Sequence, residues 1–323
     1  MSEYYIGVDL GGTKIYTALT DGKGKIISAK IMTTEADKGE EVIINNILAS
    51  IESVIEDSGV AKKNVEKIGI GIPGPLSIRK GIIYENANIS WKKVPIVEIM
   101  EEKTHLPVKL ENDANAAALG EKWFGAGKGI DDLIYITVST GVGGGIIINK
   151  RAYHGFDGAA GEVGHMIVKP DGPQCGCGNY GCLESLASGT AIAREGKKLV
   201  KSEQVETMIR EMSSNDPEQV DALLIAEAAQ KGDKIAQDLY SKAGWYLGIG
   251  LANLINLFNP EMIVLGGGIM KDKELLDDSL EKSLEDSALP SSLKQVNICK
   301  VKLGDEAGVK GAIAVAMEEK LLS

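Results

Sequence analysis

Apolar residues alternate and then run together over residues 4–10, which predicts a strand ending at Asp9. A polar glycine turn, Gly11-Gly12-Thr13-Lys14, separates it from a second predicted strand over residues 15–20. A turn at Asp21-Gly22-Lys23-Gly24 then leads into a third strand ending at Met32. The period changes over residues 40–57, where Val42, Ile43, Ile47, Ile51, Val54 and Ile55 recur at helical spacing and Gly59 is the stop signal. A buried-type strand over residues 68–72 runs into Pro73-Gly74-Pro75. Another, over residues 108–110, ends at Glu111-Asn112-Asp113 before an alanine-rich helix from Ala114.

The pattern then restarts. Residues 133–138 read as an apolar strand, residues 139–145 (Ser-Thr-Gly-Val-Gly-Gly-Gly) as a glycine turn, and residues 146–149 as a returning strand. Helices are expected around residues 186–200 and 220–230 and along residues 235–258. A strand at 262–265 ends in Gly266-Gly267-Gly268, and a strand at 296–301 and a helix at 308–322 finish the chain. Strand, glycine turn, strand thus occurs twice, which predicts two similar α/β domains facing each other across a cleft. The helix at 114–122 is the expected structured link between them.

Composition narrows the functional classes. The chain has 323 residues, 44% of them hydrophobic, enough for two ordinary cores. Its 35 basic and 46 acidic residues give a net charge of -11, which disfavours nucleic acid and anionic membrane as partners. The first residues lack the basic and apolar regions of a signal peptide, and the most apolar segment, 244–258, is interrupted by Asn253 and Asn256. A cytoplasmic protein is the expectation, and few, clustered cysteines fit a reducing compartment.

Three of the four cysteines, Cys175, Cys177 and Cys182, fall in one glycine-rich segment with His165 upstream, in outline a Cys3His zinc site. Buried small residues, or a disulfide plus a spare thiol, are the alternative, because His-x9-Cys-x-Cys-x4-Cys is not the common finger spacing. A Cys-x-Cys pair closes too small a ring for a relaxed disulfide. Four protein ligands would make the metal structural. Glu162 and Glu184 flank this segment and would be fixed with it.

The turn at Asp9–Lys14 offers backbone N–H groups, the Thr13 hydroxyl and the Lys14 charge to a phosphate, with Asp9 placed for a hydrated Mg2+. It matches neither the P-loop nor G-x-G-x-x-G, and a plain hairpin is the alternative. The second turn, residues 139–145, favours a nucleotide triphosphate held from two sides. Gly266-Gly267-Gly268 lies at a strand's carboxyl end, where an α/β sheet leaves room for a ligand. Asp113 reads by default as a helix N-cap. At the end of the first domain it could also take the proton of a hydroxyl attacking phosphorus.

Residues 9–14 (DLGGTK), 71–75 (GIPGP), 111–115 (ENDAN), 139–145 (STGVGGG), 161–165 (GEVGH) and 175–184 (CGCGNYGCLE) occur in order. Together they resemble the ROK (repressor, open reading frame, kinase) family of sugar kinases, over residues 4–315. The resemblance implies a two-domain actin-like and hexokinase-like ATPase fold, related to ribonuclease H, with an interdomain cleft. The expected division is 1–115 plus 308–323 for the small domain and 116–307 for the large one. The implied activity is ATP-dependent phosphorylation of a hexose at its 6-hydroxyl, as in the family's bacterial-type glucokinases, with glucose the first expected acceptor. Asp113 would be the catalytic base. Gly74, Asn88, Asn112, Glu162, His165 and Glu184 would bind the sugar. Asp9, Gly11, Gly12, Thr13, Lys14, Thr140 and Gly141 would serve the phosphates and Mg2+, and Gly266 and Gly267 the adenosine. His165 would bind structural Zn2+ through one ring nitrogen, with Cys175, Cys177 and Cys182, and a sugar hydroxyl through the other. Ser139 stands where glycine is frequent in the family, with no loss of function expected. A homodimer or homotetramer is the family habit. Other hexose and amino-sugar kinases share the sugar-binding positions, and loops at 83–91 and 154–159 are expected to choose among acceptors. The competing class is a sugar-sensing repressor of the same family. With the first strand expected from residue 4 and a net charge of -11, no winged-helix DNA-binding domain is expected.

Overall fold

A computed structural model describes residues 3–86, 91–202 and 205–323. Its elements, in chain order, are β1 (Tyr4–Leu10), β2 (Lys14–Asp21), β3 (Ile26–Thr33), α1 (Glu40–Ser58), β4 (Val65–Ile72), β5 (Leu76–Ser77), β6 (Ile82–Asn86) and β7 (Trp91–Val94). They continue with α2 (Ile96–Thr104), β8 (Val108–Asn112), α3 (Asp113–Phe124), β9 (Leu133–Val138), β10 (Val142–Ile148), β11 (Arg151–Ala152), α4 (Glu184–Ala187), α5 (Gly189–Ser202) and α6 (Met208–Met212). The last are α7 (Ala222–Gln230), α8 (Lys234–Phe258), β12 (Met262–Gly266), α9 (Asp277–Ser287), α10 (Pro290–Leu293), β13 (Asn297–Lys300), α11 (Ala307–Ala316) and α12 (Glu318–Leu322).

Two five-stranded sheets form among the described residues, ordered β3-β2-β1-β4-β8 and β11-β10-β9-β12-β13, together with a three-stranded sheet β5-β6-β7. Both larger sheets run third-second-first-fourth-fifth in order of appearance, so the repeat seen in the sequence is a repeat of topology. In the first sheet β1 pairs with β2 antiparallel and with β4 parallel, and β4 pairs with β8 parallel.

Strand alternation decides what each face carries. Ile6, Val8 and Leu10 of β1 and Val108 and Leu110 of β8 enter one buried cluster with Ile43, Ile47, Ile51 and Val54 of α1. The other face of β1 starts with Tyr5, which packs with Val309 and Ile313 of α11. Asp9 follows Tyr5 and Gly7 at period two, so it emerges on the α11 side at the strand's carboxyl end.

The chain divides into two compact units, residues 1–135, 145–161 and 301–323 in one, residues 136–144 and 162–300 in the other. Residues 116–135, 145–161 and 301–307 therefore go with the first unit rather than with the second domain expected from sequence. One cause is the close packing of α3 on α11, where a Cβ at Gly120 would meet the Ala307 carbonyl at 2.7 Å. The fully buried Glu121 of α3 also accepts backbone N–H groups of Lys302 (3.0 Å) and Leu303 (2.8 Å), just before α11. A four-residue α4 and the longer α5 replace the single helix expected around 186–200. The C-terminal helix likewise splits at Met317 into α11 and α12.

The second glycine turn is shorter than its sequence suggests. Only residues 139–141 turn, and Gly143, Gly144 and Gly145 lie inside β10. Gly145 is needed for contact: a Cβ there would meet the Ala118 Cβ at 2.7 Å and the Ala114 carbonyl at 2.8 Å. No helix among the described residues is long and apolar enough to cross a membrane.

Candidate functional site

In the first unit the parallel register places Asp9 opposite Gly71 of β4, and Gly71 opposite Glu111 of β8. The carboxyl ends of three neighbouring strands thus bring the turn at 11–13, the Pro73-Gly74 bend and the Asn112-Asp113 corner to one edge of one sheet, the edge where α/β sheets receive ligands. The turn is rigid. Gly11 N–H donates to the Lys14 carbonyl (2.9 Å), while Thr34 donates from its hydroxyl to the Gly11 carbonyl (2.7 Å) and from its N–H to the Thr13 carbonyl (3.0 Å). Thr13 and Lys14 are exposed beside the half-buried Gly11 and Gly12, and Gly74 takes φ 102°.

The default reading of Asp113 as N-cap is corrected by the geometry. Asn112 is the cap of α3, its side-chain oxygen accepting the N–H groups of Ala114 (2.9 Å) and Asn115 (3.3 Å). Asp113 is the first helical residue, its Oδ1 taking the Ala114 N–H at 2.8 Å. The Asp9 carboxyl is raised to about 6, first by burial and then by the charge of Asp113, with Lys14 pulling the other way. Asn88 lies outside the described residues.

The second unit carries the rest. Its turn is closed by the Ser139 N–H donating to the Gly141 carbonyl (2.9 Å) and is held on α5, where Gly189 and Thr190 N–H groups donate to the carbonyls of Ser139 (2.7 Å) and Thr140 (3.3 Å). Beside it lies a cavity of about 430 Å³ lined by, among others, Thr140, Thr190, Asp221, Gly268, Ile269 and Asp272. Of the run Gly266-Gly267-Gly268, Gly268 lines it. Gly266 is buried at the end of β12, and Gly267 takes φ 96° to turn the chain. Thr190, Asp221 and Asp272 were not anticipated. Asp221 was legible only as the N-cap of α7, which it is: its side chain accepts the Leu224 N–H at 2.8 Å.

Downstream, the ligand atoms of His165, Cys175, Cys177 and Cys182 lie within 4.8 Å of one another. Cys177 and Cys182 sulfurs are 3.7 Å apart, and Cys175 Sγ is 3.7 Å from His165 Nδ1. A zinc–sulfur bond of about 2.3 Å puts tetrahedral sulfurs roughly 3.8 Å apart, so these residues fit a tetrahedral ion. Burial first, then the neighbouring thiols of Cys177 and Cys175, push the Cys182 thiol up to about 12, a crowding that a cation would relieve. With Nδ1 turned to the sulfurs, Nε2 of His165 is the ring nitrogen left over. Glu184 opens α4 and joins two features: its Oε1 accepts from the Cys175 thiol (3.7 Å) and its Oε2 from the Val142 N–H (3.0 Å). Glu162 is exposed, one residue before the short turn of 3-10 helix that contains His165.

Residues 5–319 match the model of the ROK family. The chain belongs to the ROK family. Among its ROK relatives, the glucokinase of Halalkalibacterium halodurans is 38% identical over 309 residues, 95% of this chain and 93% of that one. The xylose repressor of Caldicellulosiruptor bescii is 35% identical over 316 residues, 98% of this chain and 78% of the repressor. A ROK glucokinase of Streptomyces griseus, solved with glucose and AMPPNP, superposes with a TM-score of 0.79 at 36% identity, covering 98% and 99% of the two chains. The ROK sugar kinases have the actin-like, hexokinase-like ATPase fold, and the repeated sheet order described above is that fold.

Proposed function

We propose that this ROK protein is an ATP-dependent sugar kinase that transfers the γ-phosphoryl group of ATP to the 6-hydroxyl of glucose. The observation that carries the reading is the edge of the first sheet, where the phosphate-shaped turn and Asp113 stand at the ends of parallel strands with Asp9 between a turn and a second carboxylate. In the reaction Asp113 accepts the proton of the attacking hydroxyl, the oxygen bonds to the γ-phosphorus, and ADP departs with the bridging oxygen. Asp113 sits in the first turn of α3, where the helix dipole favours a negative charge; in a loose transition state proton removal comes late, so a carboxylate suffices as base.

Asp9 is the residue to hold hydrated Mg2+. A divalent cation would relieve the repulsion between its carboxyl and Asp113, and its role when bound is to neutralise phosphate charge. Thr13, Lys14, Thr140 and Gly141 would contact the phosphates, and the cavity beside Gly268 would take the nucleoside. Asn112, Gly74, Asn88, Glu162, His165 and Glu184 are assigned to the sugar. Zinc in the Cys3His cluster would orient His165 and Glu184 and take no part in the chemistry. The support for glucose as acceptor is the near-full-length similarity to glucokinases.

The test is a coupled ADP-release assay with Mg-ATP against a panel of hexoses and amino sugars, with zinc measured on the same preparation. Turnover highest on glucose, with one zinc per chain, is the expected result. Glucose binding without turnover on any sugar would replace the kinase by a sugar sensor of the repressor type.

A further inference from the structure

Glu111, two residues before Asp113, is buried, with 4% of its surface exposed, and the proposed chemistry gives it no task. A carboxylate removed from water needs its lone pairs engaged. Here Oε1 accepts the backbone N–H of Asn112 at 2.9 Å and the side-chain amide of Asn115 at 3.1 Å. Oε2 is paired with His154 Nε2 at 2.7 Å. His154 follows β11 and is half-buried, lining with Lys109 and Glu111 a cavity of about 470 Å³ along the edge strand β8.

The two residues that Glu111 holds are those on either side of Asp113's own turn. Asn112 precedes Asp113 and caps α3. Asn115 follows it in the first turn of the helix. Glu111 therefore grips the β8–α3 corner at two points, and His154 grips Glu111 from a different segment of the chain. If the imidazole is lost, Oε2 is left as a buried, underpaired charge, and the side chain is free to swing toward solvent in the cavity. The corner then loses the restraint that fixes the direction of the Asp113 carboxylate.

We infer that Glu111 and His154 are a positioning pair for phosphoryl transfer, acting through Asn112 and Asn115 to aim Asp113 at the acceptor hydroxyl. The inference rests on Asp113 being the base. A misplacement on the order of 1 Å at a reacting group costs about 100-fold in rate, which sets the scale of the effect.

The experiment measures kcat and KM for glucose, zinc content and melting temperature in His154→Leu, His154→Gln, Asp113→Asn and the double variant His154→Leu/Asp113→Asn. His154→Leu should lower kcat by about 30–100-fold, with glucose KM and zinc content changed by no more than about threefold. His154→Gln, whose carboxamide N–H can stand in for Nε2–H, should recover most of kcat. Should His154→Leu fail to fold, His154→Asn replaces it, since its shorter amide stops short of Oε2. In the Asp113→Asn background the His154 substitution should cost less than about threefold, because there is no base left to aim. An unchanged kcat in His154→Leu, a loss that His154→Gln does not repair, or an equal loss in both backgrounds would each overturn the positioning role. Near-normal turnover in Asp113→Asn alone would instead remove the base assignment on which the inference stands, so the two failures are distinct.

Discussion

The turn after β1 and the turn after β9 are each backed by a carboxylate set against a glycine: Asp9 against Gly308 of α11 in the first unit, Glu184 against Gly141 in the second. A Cβ at either glycine would run into the carboxylate. The surroundings of the two acids differ. Asp9 has its charge opposed by burial and by Asp113, and its carboxyl is raised to about 6. Glu184 is tied through Oε2 to the Val142 N–H and, with Cys175 as a free thiol, through Oε1 to Cys175, and it stands beside a cluster shaped for a metal. One unit holds Asp9 in a charge state that burial and Asp113 oppose and that a cation would relieve. The other holds its acid in a prepared frame. The proposed function uses this difference, placing the chemistry in the first unit and most of sugar recognition in the second.

The largest expected effect falls on the first side. Asp113→Asn should cut kcat by about 10²–10⁴-fold while leaving the fold and zinc content unchanged, as read by steady-state kinetics and metal analysis. Turnover near the parent value would take Asp113 out of the mechanism and blur the division.

Cys177→Ala probes the other side. Cys177 is the exposed member of the cluster, so the substitution leaves the buried Cys175 and Cys182 in place. It should lower zinc content and raise glucose KM by roughly 10–100-fold, because His165 and Glu184 lose their frame. A variant that keeps one zinc per chain would sink the Cys3His assignment.

The smallest effect is on stability. The Asp9 carboxyl titrates higher in the folded chain than its ordinary 3.8. Ionising it therefore costs folding free energy: the favourable contribution is full below pH 3.8 and is lost as pH rises through about 6. Asp9→Asn, compared with the parent in the absence of Mg2+ and nucleotide, should be more stable by about 1–3 kcal/mol at pH 7.5 and no more stable at pH 3.5. Denaturant melts at the two pH values check this. An equal difference at both would mean that neither burial nor Asp113 raises the Asp9 carboxyl.

How much of this could be read from sequence follows from what each feature depends on. Local signals were legible: β9 at 133–138, α1 with its Gly59 stop, and α8 all follow from hydrophobic period and a breaker. The cysteine cluster was legible because its members lie close along the chain. The N-cap of α3 was misplaced by one residue because Asn112 and Asp113 are both good caps, and only geometry decides which side chain folds back. The run of glycines at 143–145 looked like a turn because a glycine that admits a neighbouring helix and one that bends the chain are the same letter. The Glu111–His154 pair and the Glu121 ties to Lys302 and Leu303 join residues 43 and about 180 positions apart, which no local pattern can announce.

The most direct test of the division is glucose binding measured by calorimetry on Asp113→Asn and Cys177→Ala side by side. The account predicts a glucose Kd within about threefold of the parent for Asp113→Asn and weakened by roughly 10–100-fold for Cys177→Ala. Affinity lost in Asp113→Asn and kept in a zinc-depleted Cys177→Ala would contradict it, placing sugar recognition in the first unit and leaving the metal segment without a part in it.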